Sequence, residues 1–207
     1  IEDISTFETS VKVRYAKNEE FISGTFDRIS VGSKYPAISL EGVLGIKGVL
    51  GSDYEYQKLE LKLSHSPKLG VFGKLYYEIY GGVILGEAAY PFLKIHEGSQ
   101  TYWFQNSAHN RMDYFEFISD RYVGASAEQH FNGLFFDRVP LLRKLKWRLV
   151  ASAKSVWGDI STKQSEEMLL PDNTKLFGNV PYLESAIGIE NIFKVFRVDA
   201  IWRITHL

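Results

Sequence analysis

The chain has 207 residues, no cysteine, and 24 Lys and Arg against 25 Asp and Glu, a formal net charge of −1. That balance gives no electrostatic case for nucleic acid, and the absent thiols exclude disulfides, thiolate nucleophiles and cysteine-held metals. Hydrophobic residues reach 45 %, yet no uninterrupted apolar run approaches the roughly 20 residues that a membrane-crossing helix needs.

Period-two alternation runs along almost the whole chain, and successive strand side chains point to opposite faces of a sheet. Nine extended segments follow. The first, 6–16, sets Val11, Val13 and Tyr15 against Lys12 and Arg14. The second, 20–31, alternates poorly. The third, 37–47, sets Ile38, Leu40, Leu44 and Ile46 against Ser39, Glu41 and Lys47. In the fourth, 54–65, Leu59, Leu61 and Leu63 oppose Lys58, Glu60 and Lys62. In the fifth, 71–85, Leu75, Tyr77, Ile79 and Val83 oppose Lys74, Glu78 and Tyr80.

The sixth segment, 119–131, places Val123, Ala125 and Ala127 opposite Ser126, Glu128 and His130. In the seventh, 144–157, Leu145, Trp147, Leu149, Ala151, Ala153 and Trp157 share a face, against Lys146, Arg148, Ser152 and Lys154. The eighth, 182–191, opposes Leu183, Ile187 and Ile189 to Glu184 and Glu190. In the ninth, 196–207, Phe196, Val198, Ala200, Trp202 and Ile204 oppose Arg197, Asp199, Arg203 and Thr205.

Most of these segments have 11 residues or more, longer than the ~5–6 of soluble strands and matched to the ~9–11 of a tilted membrane strand. The expected fold is all-β: a portion of an antiparallel transmembrane β-barrel with up-and-down strands. Lipid is expected against the Leu, Ile, Val and Trp stripe, and Lys, Arg, Glu, Asp and His130 are expected to line the lumen. An outward lysine at mid-membrane costs about 2–4 kcal/mol and an outward carboxylate less, which fixes the register. A soluble β-sandwich or ligand-binding barrel also alternates, but with a wet outer face and an apolar inside.

The connections agree. Those at 32–36, 66–70 and 191–195 are short, whereas 86–118 and 158–181 are long and rich in Gly, Ser, Asn, Asp and Pro. Outer-membrane barrels keep short turns in the periplasm and long loops outside. The connection at 132–143 lies on the short side and is expected to form a small excursion. The chain opens Ile-Glu-Asp-Ile-Ser rather than on a signal peptide, so it is expected to be a mature form or, preferably, a fragment of a larger barrel lacking its final strand.

The stretch from His130-Phe131-Asn132-Gly133-Leu134-Phe135-Phe136 through Pro140-Leu141-Leu142-Arg143-Lys144-Leu145-Lys146 resembles the C-terminal barrel of a family of Gram-negative outer-membrane proteins. Its full-length members are described as carboxypeptidase-like regulatory domain-containing. Gly45 to Tyr54, Pro181 to Phe193 and Phe196 to Arg203 carry the same resemblance. It implies an outer-membrane location and a small periplasmic β-sandwich module in the same full-length protein. Lipid is then the other partner, and the resemblance brings no peptidase activity. A looser analogy is to Omp85-type assembly and translocation proteins, whose loop at the position of 86–118 folds into the lumen. Arg111 and Glu97 are the nearest lumen-docking candidates, and the Arg-Gly-Phe type motif is absent.

Little points to catalysis. His65, His96, His109, His130 and His206 show no metal-ligand spacing, so no metal or cofactor is expected. Ser126, Glu128 and His130 share one face, but strand positions i and i+2 lie about 6.5–7 Å apart. Ser126 therefore cannot meet His130 directly, and a Glu128–His130 hydrogen-bonded pair is the simpler expectation. Gly81-Gly82 inside a strand suggests a bend or close backbone approach. The expected function is that of an outer-membrane barrel, structural, transport-related or engaged in protein assembly, and not an enzyme. A lumenal hydrolase and a soluble binding barrel are the alternatives.

Overall fold

Long alternating segments joined by tight turns pair with their sequence neighbours, and most of this chain does so. The computed structural model describes residues 4–161 and 173–207. In chain order the strands are β1 (Glu8–Ala16), β2 (Glu19–Ser23), β3 (Arg28–Ser33), β4 (Ala37–Gly45), β5 (Glu55–His65) and β6 (Lys74–Glu87). There follow β7 (Lys94–Ile95), β8 (Ile118–Ser119), β9 (Arg121–Phe131), β10 (Arg148–Asp159), β11 (Tyr182–Ile192) and β12 (Phe196–Arg203). One eight-stranded antiparallel sheet runs β1-β4-β5-β6-β9-β10-β11-β12. Strands β1 and β12 form its two edges, and among the described residues they do not pair with each other.

Two sequence expectations need correction. Segment 20–31 does not run the height of the sheet: Gly24 N–H donates to the Asp27 carbonyl at 2.7 Å, folding it into a separate β2–β3 hairpin. The large sheet thus has eight strands where nine were expected. The seventh segment also begins later. Pro140–Leu145 forms a short helix, α1, and Lys146 closes it with φ 55°. Leu145 and Lys146 therefore lie outside any strand, and Trp147 sits in the turn before β10. Proline in the first helical turn fixes φ and has no N–H to leave unpaired, which explains why period two gives way there.

The register aligns the apolar stripes. Val13, Leu40, Leu61, Gly81, Val123 and Trp157 are consecutive partners across six strands. Glu60, Gly82, Tyr122 and Gly158 are partners on the opposite face. A Cβ on Gly82 would lie 2.6 Å from the Tyr122 hydroxyl, so glycine makes room for that ring, whose O–H donates to Glu60. In the tight turn before β6, Gly73 has φ 90°, and a Cβ would fall 2.0 Å from the His130 carbonyl; only glycine fits there.

Antiparallel order places 46–54, 88–120, 160–161 and 173–181 at one end of the sheet, and 17–36, 66–73, 132–147 and 193–195 at the other. Connection 88–120 and the described part of the next one, 173–181, cover the charged face of the sheet. Buried apolar groups lie between loop and sheet. Met112, Phe117 and Phe177 pack on Val156 and Tyr182, while Leu93, Ala88 and Ile118 pack on Tyr56 and Ile84. Each large side chain buried this way contributes about 1.5–3 kcal/mol.

Candidate functional site

The covered face of the sheet carries two adjoining features, a loop clasped by buried charges and a polar cavity. The loop is 96–117. Glu184, 2 % exposed on β11, accepts the backbone N–H groups of Asn110 at 2.9 Å and Arg111 at 3.0 Å. Lys154 on β10 donates to the carbonyls of Gln105 and Ala108, both at 2.6 Å. Arg203 on β12 donates to the Arg111 carbonyl and both carboxylate oxygens of Glu116. Irregular backbone in a buried place must have its polar groups paired, and these three wall residues pair them.

Three titratable groups of the loop are displaced from their ordinary behaviour. Burial lowers His96 to about 3, with help from the charge of Lys94; its Nε2 lies 2.7 Å from the Ser119 hydroxyl. Burial likewise lowers His109 to about 4, the Lys154 charge adding to it and Glu184 opposing it. His109 Nδ1 is buried without a hydrogen-bond partner among the described residues. For Glu116 burial pushes upward, but hydrogen bonds from Arg203, the Asp113 backbone and Lys175 prevail and hold it at about 2.

Above the loop is a cavity of about 580 Å³ whose wall includes Glu78, Asn106, Ser126, Glu128, His130 and Arg197. Its charges are paired. Arg197 donates to Glu128 at 2.9 and 3.2 Å and to Asp199 at 2.8 Å. His130 Nε2 and Nδ1 lie 2.6 Å from Glu128 and 2.9 Å from Glu190. Arg197 and Lys154 also stand over the Phe104 ring at 4.3 and 5.0 Å, tying loop and network together.

The residues singled out from sequence fall as follows. Lys58, Glu60, Lys62, Lys74, Glu78, Lys154, Glu184 and Glu190 share the loop-covered face with Glu128, His130, Asp199 and Arg203. Lys58 pairs with Glu8, Lys62 with Glu78, and Lys94 with Glu60; Lys74 lies 4.3 Å from the Tyr76 ring centroid. Arg148 is exposed and in register with Glu190. Leu59, Leu61, Leu63, Leu75, Ile79, Leu149, Trp157, Ile187, Ile189, Val198 and Trp202 lie on the other face, and Ile204 follows β12 with 47 % exposure.

The proposed loop anchors differ from those observed. The Arg111 and Glu97 side chains are exposed; the docking is carried by Glu116, by the backbone at 105–111, and by Lys154, Glu184 and Arg203. Sequence gave no sign of these partnerships, since Asn110 and Glu184 are 74 positions apart. The only local hint is a pair of histidines in a stretch with no alternation.

Among the described residues no hydrogen bond joins Ser126 to His130. Both nitrogens of His130 engage carboxylates, and only the doubly protonated ring can donate to both. No group of three or more His, Asp or Glu among the described residues is placed to hold a metal.

No curated protein and no solved structure matches this chain. Residues 1–166 match the C-terminal domain of a family of unknown function, DUF5686, and the chain belongs to that family.

Proposed function

We propose that this sheet is part of a transmembrane β-barrel of a bacterial outer membrane, with lipid against its apolar face and an aqueous lumen on its charged face. Its role is structural or transport-related. One observation carries this reading: Leu59, Leu61 and Trp202 are 51, 52 and 51 % exposed, while Lys58, Glu60, Lys62 and Arg203, which alternate with them, lie on the loop-covered face and are ion-paired. A water-soluble antiparallel sheet hides its apolar side and wets its polar side; this arrangement is the reverse. The partners that follow are membrane lipid and, through the resemblance of the sequence, a periplasmic module of the same full-length protein.

The clasped loop favours a second, narrower role within the same reading. A lumen stoppered by a loop suits controlled passage or handling of other proteins better than an open pore does. The lumenal hydrolase is disfavoured by the engagement of both His130 nitrogens.

Tryptophan quenching tests the proposal. In vesicles with brominated acyl chains, Trp157 and Trp202 are expected to be quenched and Trp103, 82 % exposed on the loop, to be spared. A protein that stays monodisperse in water without detergent, with no quenching of Trp157 or Trp202, would falsify it.

A further inference from the structure

The two ends of the sheet differ in charge. The short-turn connection 132–147 carries Arg138, Arg143, Lys144 and Lys146 against Asp137 alone, and Lys68 and Lys194 sit in the other short turns of that end. At the opposite end, connection 88–120 carries Glu97, Asp113, Glu116 and Asp120 against Lys94 and Arg111. The inward pairing that neutralises the sheet does not extend to the short-turn cluster. Arg138, Arg143, Lys144 and Lys146 are exposed, and none of their side chains has an ion-pair partner among the described residues.

Apolar groups accompany these cations. Phe135, Val139 and Leu145 are exposed beside them, and Trp147 occupies the turn into β10. The segment is held in place: Phe131 and Phe135 rings meet edge-on at 5.3 Å, and Asn191 donates to the Lys146 carbonyl at 2.7 Å. Exposed cations flanked by apolar side chains, fixed where an apolar sheet face ends, match the make-up of a segment lying at a membrane interface. Apolar side chains enter the headgroup boundary there and cations meet phosphate.

We infer that residues 135–148 form a docking surface for anionic phospholipid headgroups of the leaflet at the short-turn end, with Arg143, Lys144 and Lys146 as the phosphate-facing cations. This rests on the membrane reading above and adds the lipid class and the residues that select it. Charge complementarity makes the assignment: a zwitterionic headgroup offers no net attraction, whereas one cation at an anionic surface is worth about 1 kcal/mol, roughly fivefold in association.

The test uses the full chain inserted in vesicles, with Trp103, Trp157 and Trp202 replaced by Phe so that Trp147 reports alone. Headgroup-spin-labelled phosphatidylglycerol is compared with the same label on phosphatidylcholine. Trp147 is expected to be quenched at least about fivefold more effectively by the anionic lipid, with the preference falling toward unity in Arg143→Gln/Lys144→Gln/Lys146→Gln and at high salt. Equal quenching by both lipids overturns the assignment. In a parallel sample with Trp103 and Trp147 replaced by Phe, quenching of Trp157 and Trp202 by brominated chains tells whether the membrane reading survives that loss. If those two are not quenched either, both fall together.

Discussion

Acid should release the clasped loop, and the histidines set how strongly. His96 and His109 are held neutral by burial, at about 3 and about 4, against about 6.5 when the loop is free. The loop-in state therefore binds fewer protons than the loop-out state over this range. Its stability is complete above about pH 6.5 and declines as pH falls toward those lowered values. Going from about pH 7.5 to about pH 5 costs ~2 kcal/mol per histidine, ~4 kcal/mol for the pair. That corresponds to roughly a thousandfold rise in the open fraction. Glu116 adds to the loss only below about pH 4.5, because its lowered value of about 2 protects the docked state above that point. Amide exchange of 96–117, corrected for the intrinsic pH dependence of exchange, reads this directly at Asn110 and Arg111, whose N–H groups donate to Glu184. His96→Gln is expected to remove about half of the response. Unchanged protection of those two amides at about pH 5 would mean that the histidines are not buried as described.

Three further outcomes are expected. Glu184→Gln removes the charge from an acceptor of two backbone N–H groups, weakening the clasp by about 2 kcal/mol; trypsin cleavage at Arg111 should then rise about thirtyfold, and equal cleavage refutes the clasp. Leu61→Arg, outward on β5, should destabilise the inserted protein by about 2–4 kcal/mol, whereas Lys62→Gln, inward beside Glu78 at 2.8 Å, should cost under about 1 kcal/mol; urea midpoints in vesicles compare them. The β11–β12 turn holds Phe193 at φ 49° and Lys194 at φ 69°, a geometry that favours Asn-Gly. Phe193→Asn/Lys194→Gly should gain about 1–2 kcal/mol, read as a higher unfolding midpoint.

The sheet was legible because its signal is local. In β5, Leu59, Leu61 and Leu63 announce both period and sidedness, and a one-residue slip would turn every charge outward. Failures came where a local feature overrode alternation. The Gly24 to Asp27 turn cuts 20–31 in two, although the apolar residues on each side suggest one strand. Leu-Leu-Arg-Lys-Leu-Lys satisfies a helix and a strand about equally, and Pro140 decides between them. The clasp was invisible for a different reason: its partners, Glu116 with Arg203 and Glu184 with Asn110, are 87 and 74 residues apart. It also relies on backbone groups that every sequence possesses. Of the expected site residues, Glu128 and His130 came together as a hydrogen-bonded pair, and the remainder of that network, Arg197, Asp199 and Glu190, assembled only through strand register.

The size of the apolar face bears on what must surround it. Eight strands spaced about 4.8 Å apart span about 34 Å, and eight residue rises from Leu149 to Trp157 add about 26 Å along a strand. Such a face approaches 900 Å², beyond the ~300–600 Å² of the largest patch on a typical soluble monomer. Tilted by about 35–45°, the strand length projects to about 20 Å, close to the ~25 Å apolar belt of outer-membrane barrels. Hydrocarbon then imposes a condition on β1 and β12, because unpaired backbone groups at a sheet edge are not tolerated there. On the membrane reading, the backbone groups along both edges must therefore be hydrogen-bonded to a strand partner. The amides of β1 that do not face β4 should consequently exchange as slowly as those in the middle of β5. Rapid exchange at β1 with β5 protected would leave a bare edge in the bilayer, and the membrane reading could not stand.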